Sequence, residues 1–401
     1  TVFTQIGFKM SHRQWPMDEK PILIFWETTK ACGLACKHCR AEAITKPLPT
    51  ELNNEESLRL IDQISDFGKP SPILVFSGGD PLMRKDIWDL IEYANKKGVI
   101  TALSPSVTHL LNDETIEKIS NHKISSVSIS IDSPYREIHD KIRGIEGTWD
   151  RSIEVIKKMI NKGIKVQVNT TVMRSTLEGL PDMVGLLNKL NVNVWEVFYI
   201  IPVGRGKFEE DLTKQEWEDV SSFLYEASKY GLTIRTSEGP MFRRLTLLYK
   251  NFEKINADYE KEFYHGELYY RLVKRLKEIM GNPKGESKAE THGTRDGRGI
   301  VFVSHDGYVY PSGFLPYPAG NVRKQSIVDI YRNSQLFKKL RSSELNGKCG
   351  LCEFKNICGG SRARAFAYSG DPFGEDPACL YNPGEYESIL KRHGLGYNSL
   401  R

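Results

Sequence analysis

The chain has 401 residues, 39% hydrophobic and 27% charged, the composition of an ordinary globular protein with room for one large domain and a smaller one. Its 56 basic and 51 acidic residues leave a net charge of +5, and no Lys/Arg block is long enough to track a phosphate backbone, which argues against a nucleic-acid partner. No stretch approaches the roughly 20 apolar residues that span a bilayer. The opening TVFTQIGFKMSHRQWPMDEK lacks the apolar core of a secretory signal, so the expected location is cytoplasmic.

In chain order, residues 1–20 read as an N-terminal extension that begins without Met. From Pro21 to about Gly206 one theme repeats: a β-rich run, a loop, then an amphipathic helix. The predicted strands are Ile22–Glu27, Ile73–Phe76, Ile100–Leu103, Ser126–Ile131, Lys165–Thr171 and Val194–Ile200. Intervening runs such as IWDLIEYANKKG and WDRSIEVIKKMINKG carry helical periodicity, and Gly68, Gly98 and Gly163 supply helix stops. Six βα units in series imply a parallel sheet with helices outside. Six fall short of a closed eight-stranded barrel, so the expected class is α/β, a partial parallel (β/α)6 barrel over 21–208. Ligands of such sheets bind at the C-terminal ends of the strands.

Residues 209–298 read as a helical bridge followed by a polar, Gly-rich loop. The stretch 299–401 opens with a hairpin whose turn falls at His305-Asp306-Gly307, and continues as a small cysteine-rich domain and tail.

All seven cysteines lie in two groups. An odd count in two tight clusters, with no sign of export, favours metal ligation over disulfides. Cys32, Cys36 and Cys39 have the spacing C-x3-C-x2-C just after the first strand. Three thiolates can bind three irons of a [4Fe–4S] cubane and leave the fourth open to a small chelating ligand. Cys349, Cys352, Cys358 and Cys379 can saturate a second cubane; a zinc ribbon is the alternative there.

The first cysteine loop and Ser77-Gly78-Gly79-Asp80-Pro81 at the end of strand two resemble the radical S-adenosylmethionine (SAM) superfamily. The resemblance implies that SAM chelates the open iron and that an electron from the cluster cleaves it to a 5′-deoxyadenosyl radical. It also implies SAM contacts at Ser77, Gly78, Gly79 and Asp80, at Ser104 and Ser106 after strand three, and at Ser130 and Asp132 after strand four. Arg143 in HDKIRG would meet the SAM carboxylate. Asn169, Val203 and Gly204 end the set, on strands five and six. No acid or base residue is singled out.

CGLCEFKNICGGSRARAF and EDPAC resemble the SPASM/twitch extensions of that superfamily. Ser312 and Ser361 stand where two-cluster members carry cysteine, so one auxiliary cluster is expected. RAEA after Cys39 and the CGG-x-RARA…EDPAC ending are similar to the proteins of alternative haem and haem d1 biosynthesis. That similarity implies hydrogen abstraction from a tetrapyrrole side chain, with a ferredoxin or flavodoxin as electron donor. Arg362 and Arg364 are candidates for propionate contacts, and Trp26, Phe198, Tyr199, Tyr308 and Tyr310 for an aromatic wall. Glu27 is expected to point into the barrel, His38 to pack near the cluster, and His305 to be structural. A peptide-modifying maturase is the alternative enzyme, although only about 20 residues precede the first strand. An iron–sulfur electron carrier is the non-enzymatic one.

Overall fold

The computed structural model describes residues 15–394 apart from positions 257, 264, 284 and 292. Most of the predicted N-terminal extension lies outside the described residues. The six predicted strands are present as β1 (Leu23–Glu27), β2 (Ile73–Ser77), β3 (Ile100–Leu103), β4 (Ile124–Ser130), β5 (Val166–Val172) and β6 (Val194–Tyr199). They pair in parallel in chain order.

The arc is longer than six strands. β7 (Thr233–Ser237), in the stretch read as a helical bridge, pairs in parallel with β6. β9 (Gly299–Val303) pairs in parallel with the free edge of β1, and β10 (Tyr308–Tyr310) returns antiparallel to it around the predicted turn. β11 (Gly320–Asn321) ends that side, and β8 (Arg295–Asp296) pairs with β9. The sheet order runs β11-β10-β9-β1-β2-β3-β4-β5-β6-β7, an open partial barrel. The segment read as a polar loop is pinned in part: Ala289 bridges Ile234, and the Glu290 amide donates to the Ile234 carbonyl.

Strand alternation decides which side chains enter the barrel. Ile24, Trp26, Leu74, Phe76, Val127, Ile129, Val168, Trp195 and Val197 are buried under the outer helices. Their neighbours point the other way and line an interior cavity, apolar on β1 to β3 (Leu23, Phe25, Val75) and polar on β4 to β6 (Ser128, Gln167, Glu196). The helices present apolar stripes to the sheet; that of Asn54–Ser65 starts in a capping box between Asn53 and Glu56. No helix among the described residues is long and apolar enough to cross a membrane.

Candidate active site

The cysteine loop leaves β1 and is held on three sides by backbone. On the first, the Gly79 amide donates to the Thr29 carbonyl at 2.8 Å and the Asp80 amide to that of Ala31 at 2.7 Å. A Cβ on Gly78 would lie 2.6 Å from the Thr29 oxygen, and one on Gly79 would lie 2.4 Å from that of Ala31, so only glycine permits this approach. On the second, the helix Arg136–Arg143 ends against the loop, where Lys37 donates to the Ile142 carbonyl at 2.9 Å. On the third, the turn after β6 crosses it, with the Arg205 amide donating to Cys39 at 3.0 Å.

Cys32, Cys36 and Cys39 border one cavity of about 210 Å3. Ser77, Gly78, Gly79, Ser104, Ser106, Ser130, Arg143 and Asn169 share its wall, so eight of the twelve residues predicted for SAM come together there. Cys32 Sγ lies 3.3 Å from Ser106 Oγ and accepts from the Leu34 amide at 3.3 Å, while Arg143 Nη1 donates to Cys36 Sγ at 3.7 Å. Burial pushes the Cys32 and Cys36 thiols up; the Ser106 hydroxyl and the Arg143 charge work the other way.

Four predicted contacts sit elsewhere. Asp80 is buried behind the wall, where its carboxylate accepts from the Leu82 and Ser106 amides and the Thr108 hydroxyl. Asp132 is also buried, and its Oδ2 lies 2.8 Å from Arg143 Nη2 and 3.6 Å from His38 Nε2. Burial works to raise this carboxyl, but Arg143, then His38, hold it below its usual range. It therefore aims Arg143. Val203 and Gly204 are off the wall: a Cβ on Gly204, at φ +58°, would meet the Arg40 carbonyl at 2.4 Å, so that glycine serves contact with the cysteine loop. Ile201 and Arg205 take their place at the cavity. Arg205 was missed by sequence reasoning, although it follows the strand-six end directly. Its Nε and Nη2 are buried without a hydrogen-bond partner among the described residues, as are Nε of Arg143 and Nδ1 of His38. An anionic ligand chelating at the cysteine loop would meet the guanidiniums of Arg143 and Arg205, which border the cavity.

Ser77, Ser104, Asn169, Phe198, Phe314 and Arg40 border both this cavity and the barrel interior, a second cavity of about 280 Å3. Of the predicted aromatic wall, Phe198 faces both cavities and Tyr199 borders the first. Tyr199 also stacks on Trp217 and bonds Ser221, Trp26 is core, and Tyr308 is exposed. Glu27 does not enter the cavity: it bonds Arg40 Nη1 at 3.0 Å and His305 Nδ1 at 2.7 Å, which gives the hairpin histidine its structural role. Arg362 and Arg364 also turn away. Arg362 donates to the Gly374 carbonyl and to Cys349 Sγ, and Arg364 to the Ile200 and Glu238 carbonyls.

Cys349, Cys352, Cys358 and Cys379 all line a third, small cavity, with Arg244 and Tyr381 beside them. All seven cysteines are free thiols. Among the described residues, no three His, Cys, Asp or Glu side chains are grouped as the ligands of a single metal ion. Ser312 and Ser361 both donate to Glu238, Ser312 to Oε1 at 3.2 Å and Ser361 to Oε2 at 2.5 Å. Glu238 adopts φ +58° and lines the barrel cavity beside Asp296. Burial and the Asp296 charge push its carboxyl from 4.5 up to about 8, so it carries a proton at neutral pH.

Residues 26–187 match the Radical SAM superfamily, and residues 295–353 match SPASM, an iron–sulfur cluster-binding domain. Cys358 and Cys379 lie beyond the second match. The AdoMet-dependent heme synthase of Oleidesulfovibrio alaskensis is 37% identical over 368 residues, covering 90% of this chain and 87% of that protein. The AdoMet-dependent heme synthase of Methanosarcina barkeri is 33% identical over 371 residues, covering 92% and 99%. Streptococcus suis SuiB, solved bound to S-adenosylmethionine, shares the fold at a TM-score of 0.64 and 16% identity, over 90% of this chain and 78% of SuiB. The chain belongs to the radical SAM superfamily. It is a radical SAM enzyme that uses SAM and a [4Fe–4S] cluster, and its SPASM domain implies an auxiliary cluster.

Two outcomes follow from this geometry. Gly79→Ala is expected to cost about 1–3 kcal/mol by overpacking, read by anaerobic chemical denaturation; an unchanged midpoint would contradict the close approach. Glu238 binds a proton in the folded state between its ordinary 4.5 and about 8, where the unfolded chain has lost it, so its stability penalty grows as pH rises through that window. Asp296, Arg364 and Arg243 are the charges around it. Glu238→Gln should therefore raise the thermal midpoint more at pH 8 than at pH 6, and an equal gain at both would contradict the assignment.

Proposed function

We propose that Cys32, Cys36 and Cys39 hold the SAM-cleaving [4Fe–4S] cluster, and that Cys349, Cys352, Cys358 and Cys379 hold the auxiliary one. The observation that carries this reading is the shared cavity: three thiols and the paired-glycine strand end border one space that opens into a larger one. In that division 21–208 is the SAM-binding core, 209–298 the bridge, and 299–401 the auxiliary domain. When bound, the first cluster supplies the electron that cleaves SAM to a 5′-deoxyadenosyl radical.

The chain's own residues seat the cofactor. Gly78 and Gly79 bring bare backbone to the SAM amino group, and Ser104, Ser106, Ser130 and Asn169 offer hydroxyl and amide groups to the rest of the molecule. Arg143, aimed by Asp132, and Arg205, with free N–H groups, receive the carboxylate. Leu23, Phe25 and Val75 make one side of the adjoining cavity apolar, which suits a flat macrocycle and excludes water around a radical.

The substrate reading is a tetrapyrrole side chain. The heme synthases at over 30% identity support it, as do the arginines of the barrel cavity. Haem bears vinyl groups where coproporphyrin bears propionates, so the reaction proposed is transfer of a hydrogen atom from a propionate to the 5′-deoxyadenosyl radical, giving 5′-deoxyadenosine. Loss of carbon dioxide and of one electron, to a one-electron acceptor such as an oxidised ferredoxin or flavodoxin, then leaves the vinyl group. A ferredoxin or flavodoxin is the proposed electron donor, and seven cysteines without a disulfide fit a cytoplasmic setting.

Cys32→Ala should reduce 5′-deoxyadenosine formation with dithionite to background, and wild-type protein should convert iron-coproporphyrin III to a product lighter by the carboxyl carbon and oxygens plus hydrogen. Persistent 5′-deoxyadenosine in Cys32→Ala would overturn the ligand assignment. Turnover of a small peptide with none of the porphyrin would overturn the substrate.

A further inference from the structure

The barrel cavity has two chemically different ends. At the end facing the auxiliary domain its wall is Gly360, which also lines the cavity of the four auxiliary cysteines. A Cβ on Gly360 would lie 2.9 Å from Cys349 Sγ, so glycine lets this wall pass close to the auxiliary cysteine. The helix Met241–Lys254 straddles it with consecutive arginines. Arg244 turns to the cysteine side, bonded to Glu218 at 2.7 Å and set over the Tyr381 ring. Arg243 turns into the barrel cavity, beside Arg295.

These two guanidiniums differ from the others on the same wall. Arg235 is bonded to Glu290 at 2.5 Å, and Arg40 to Glu27. Nη1 of Arg243 and Nε of Arg295 are instead buried with no hydrogen-bond partner among the described residues. Arg295 is anchored by one bond, from Nη1 to the Lys355 carbonyl at 2.6 Å, in the loop between Cys352 and Cys358. The acids close by are Glu238 and Asp296, which lie against each other and bond the two serines, and Glu196, whose charge also acts on Arg243. Two buried carboxyls in contact share a proton, so they do not discharge both arginines. Burial first, then the neighbouring guanidiniums of Arg298 and Arg243, pull Arg295 down to about 10. Buried donors left unpaired are costly, and a carboxylate from a ligand satisfies both at once.

We propose that Arg243 and Arg295 form a carboxylate-binding subsite at the auxiliary-cluster end of the substrate cavity, which fixes one substrate carboxylate against the glycine wall. The subsite rests on the tetrapyrrole reading above and deepens it. It orients the macrocycle: one acidic side chain is pinned at Gly360, the ring lies against Leu23, Phe25 and Val75, and another edge is turned toward Phe198 and Phe314, which border the SAM cavity as well. It selects for acidic side chains, and Arg362 and Arg364 take no part in it.

The test is equilibrium dialysis of the reconstituted protein with iron-coproporphyrin III and with its tetramethyl ester. Wild type should bind the acid well and the ester about 10- to 100-fold more weakly, the span of one charge-assisted contact. Arg243→Gln and Arg295→Gln should each lose a similar factor toward the acid and little toward the ester, and Arg243→Lys should recover part of it. Variants are compared at equal iron content; if Arg295→Gln fails to retain iron, Arg243→Gln carries the measurement. Unchanged affinity for the acid in Arg243→Gln overturns the subsite and leaves the tetrapyrrole reading standing. Failure of wild type to bind either porphyrin overturns both.

Discussion

The site depends on backbone meeting backbone without side chains between. The cysteine loop has no secondary structure of its own to fix it, so its shape is imposed by the strand end at Gly78–Gly79, by the C-terminal carbonyls of the helix Arg136–Arg143, and by the turn at Gly204–Arg205. Two of the three contacts, at Gly78–Gly79 and at Gly204, spend glycines where a Cβ would collide with a carbonyl oxygen. A loop held this way brings three thiols to one cavity, with Leu34 and Ala43 packed among them. The buried acids serve the same end. Asp80 ties the loops after β2 and β3 together, and Asp132 fixes Arg143, which in turn reaches Cys36.

The strand alternation that builds the core also grades the cavity. Residues one apart on β4, β5 and β6 divide between a helix-covered hydrophobic layer and a polar interior face. The apolar interior of β1 to β3 lies opposite, so a large planar molecule finds one greasy wall and one hydrogen-bonding wall. Both flanks are completed from outside the six-strand core. β7 brings Arg235 and leads into Glu238, and β8 and β9 bring Arg295, Asp296 and Phe302. The auxiliary domain is thereby part of the barrel cavity's wall, and Gly360 borders both that cavity and the one lined by Cys349, Cys352, Cys358 and Cys379.

Much of this was legible in the sequence. The six strands follow from short β-branched runs between helical periods, and strand ends are where such sheets bind ligands, so Ser104, Ser106, Ser130 and Asn169 could be placed without coordinates. The serines at 312 and 361 were legible as missing cysteines, but not as donors to Glu238, because that contact joins positions 74 and 123 residues apart. The same limit explains Asp80, Asp132 and Glu27. A carboxylate at a strand end reads as facing a ligand, and only packing reveals that a neighbouring arginine, histidine or amide has claimed it. β7 and β9 were obscured for another reason: one sits in a helix-rich stretch, and a hairpin signature does not disclose that its first strand joins the sheet beside β1. Arg243 and Arg295 carried no motif at all, Arg205 was passed over beside Val203 and Gly204 in PVGRG, and the importance of all three lies in what fails to pair with them.

The account stands on one iron of the N-terminal cluster having no protein ligand. The direct measurement is low-temperature electron paramagnetic resonance of the dithionite-reduced protein before and after SAM is added. The component from the N-terminal cluster should change in g-values on addition while the auxiliary component stays fixed. A spectrum that SAM leaves unaltered would contradict the assignment.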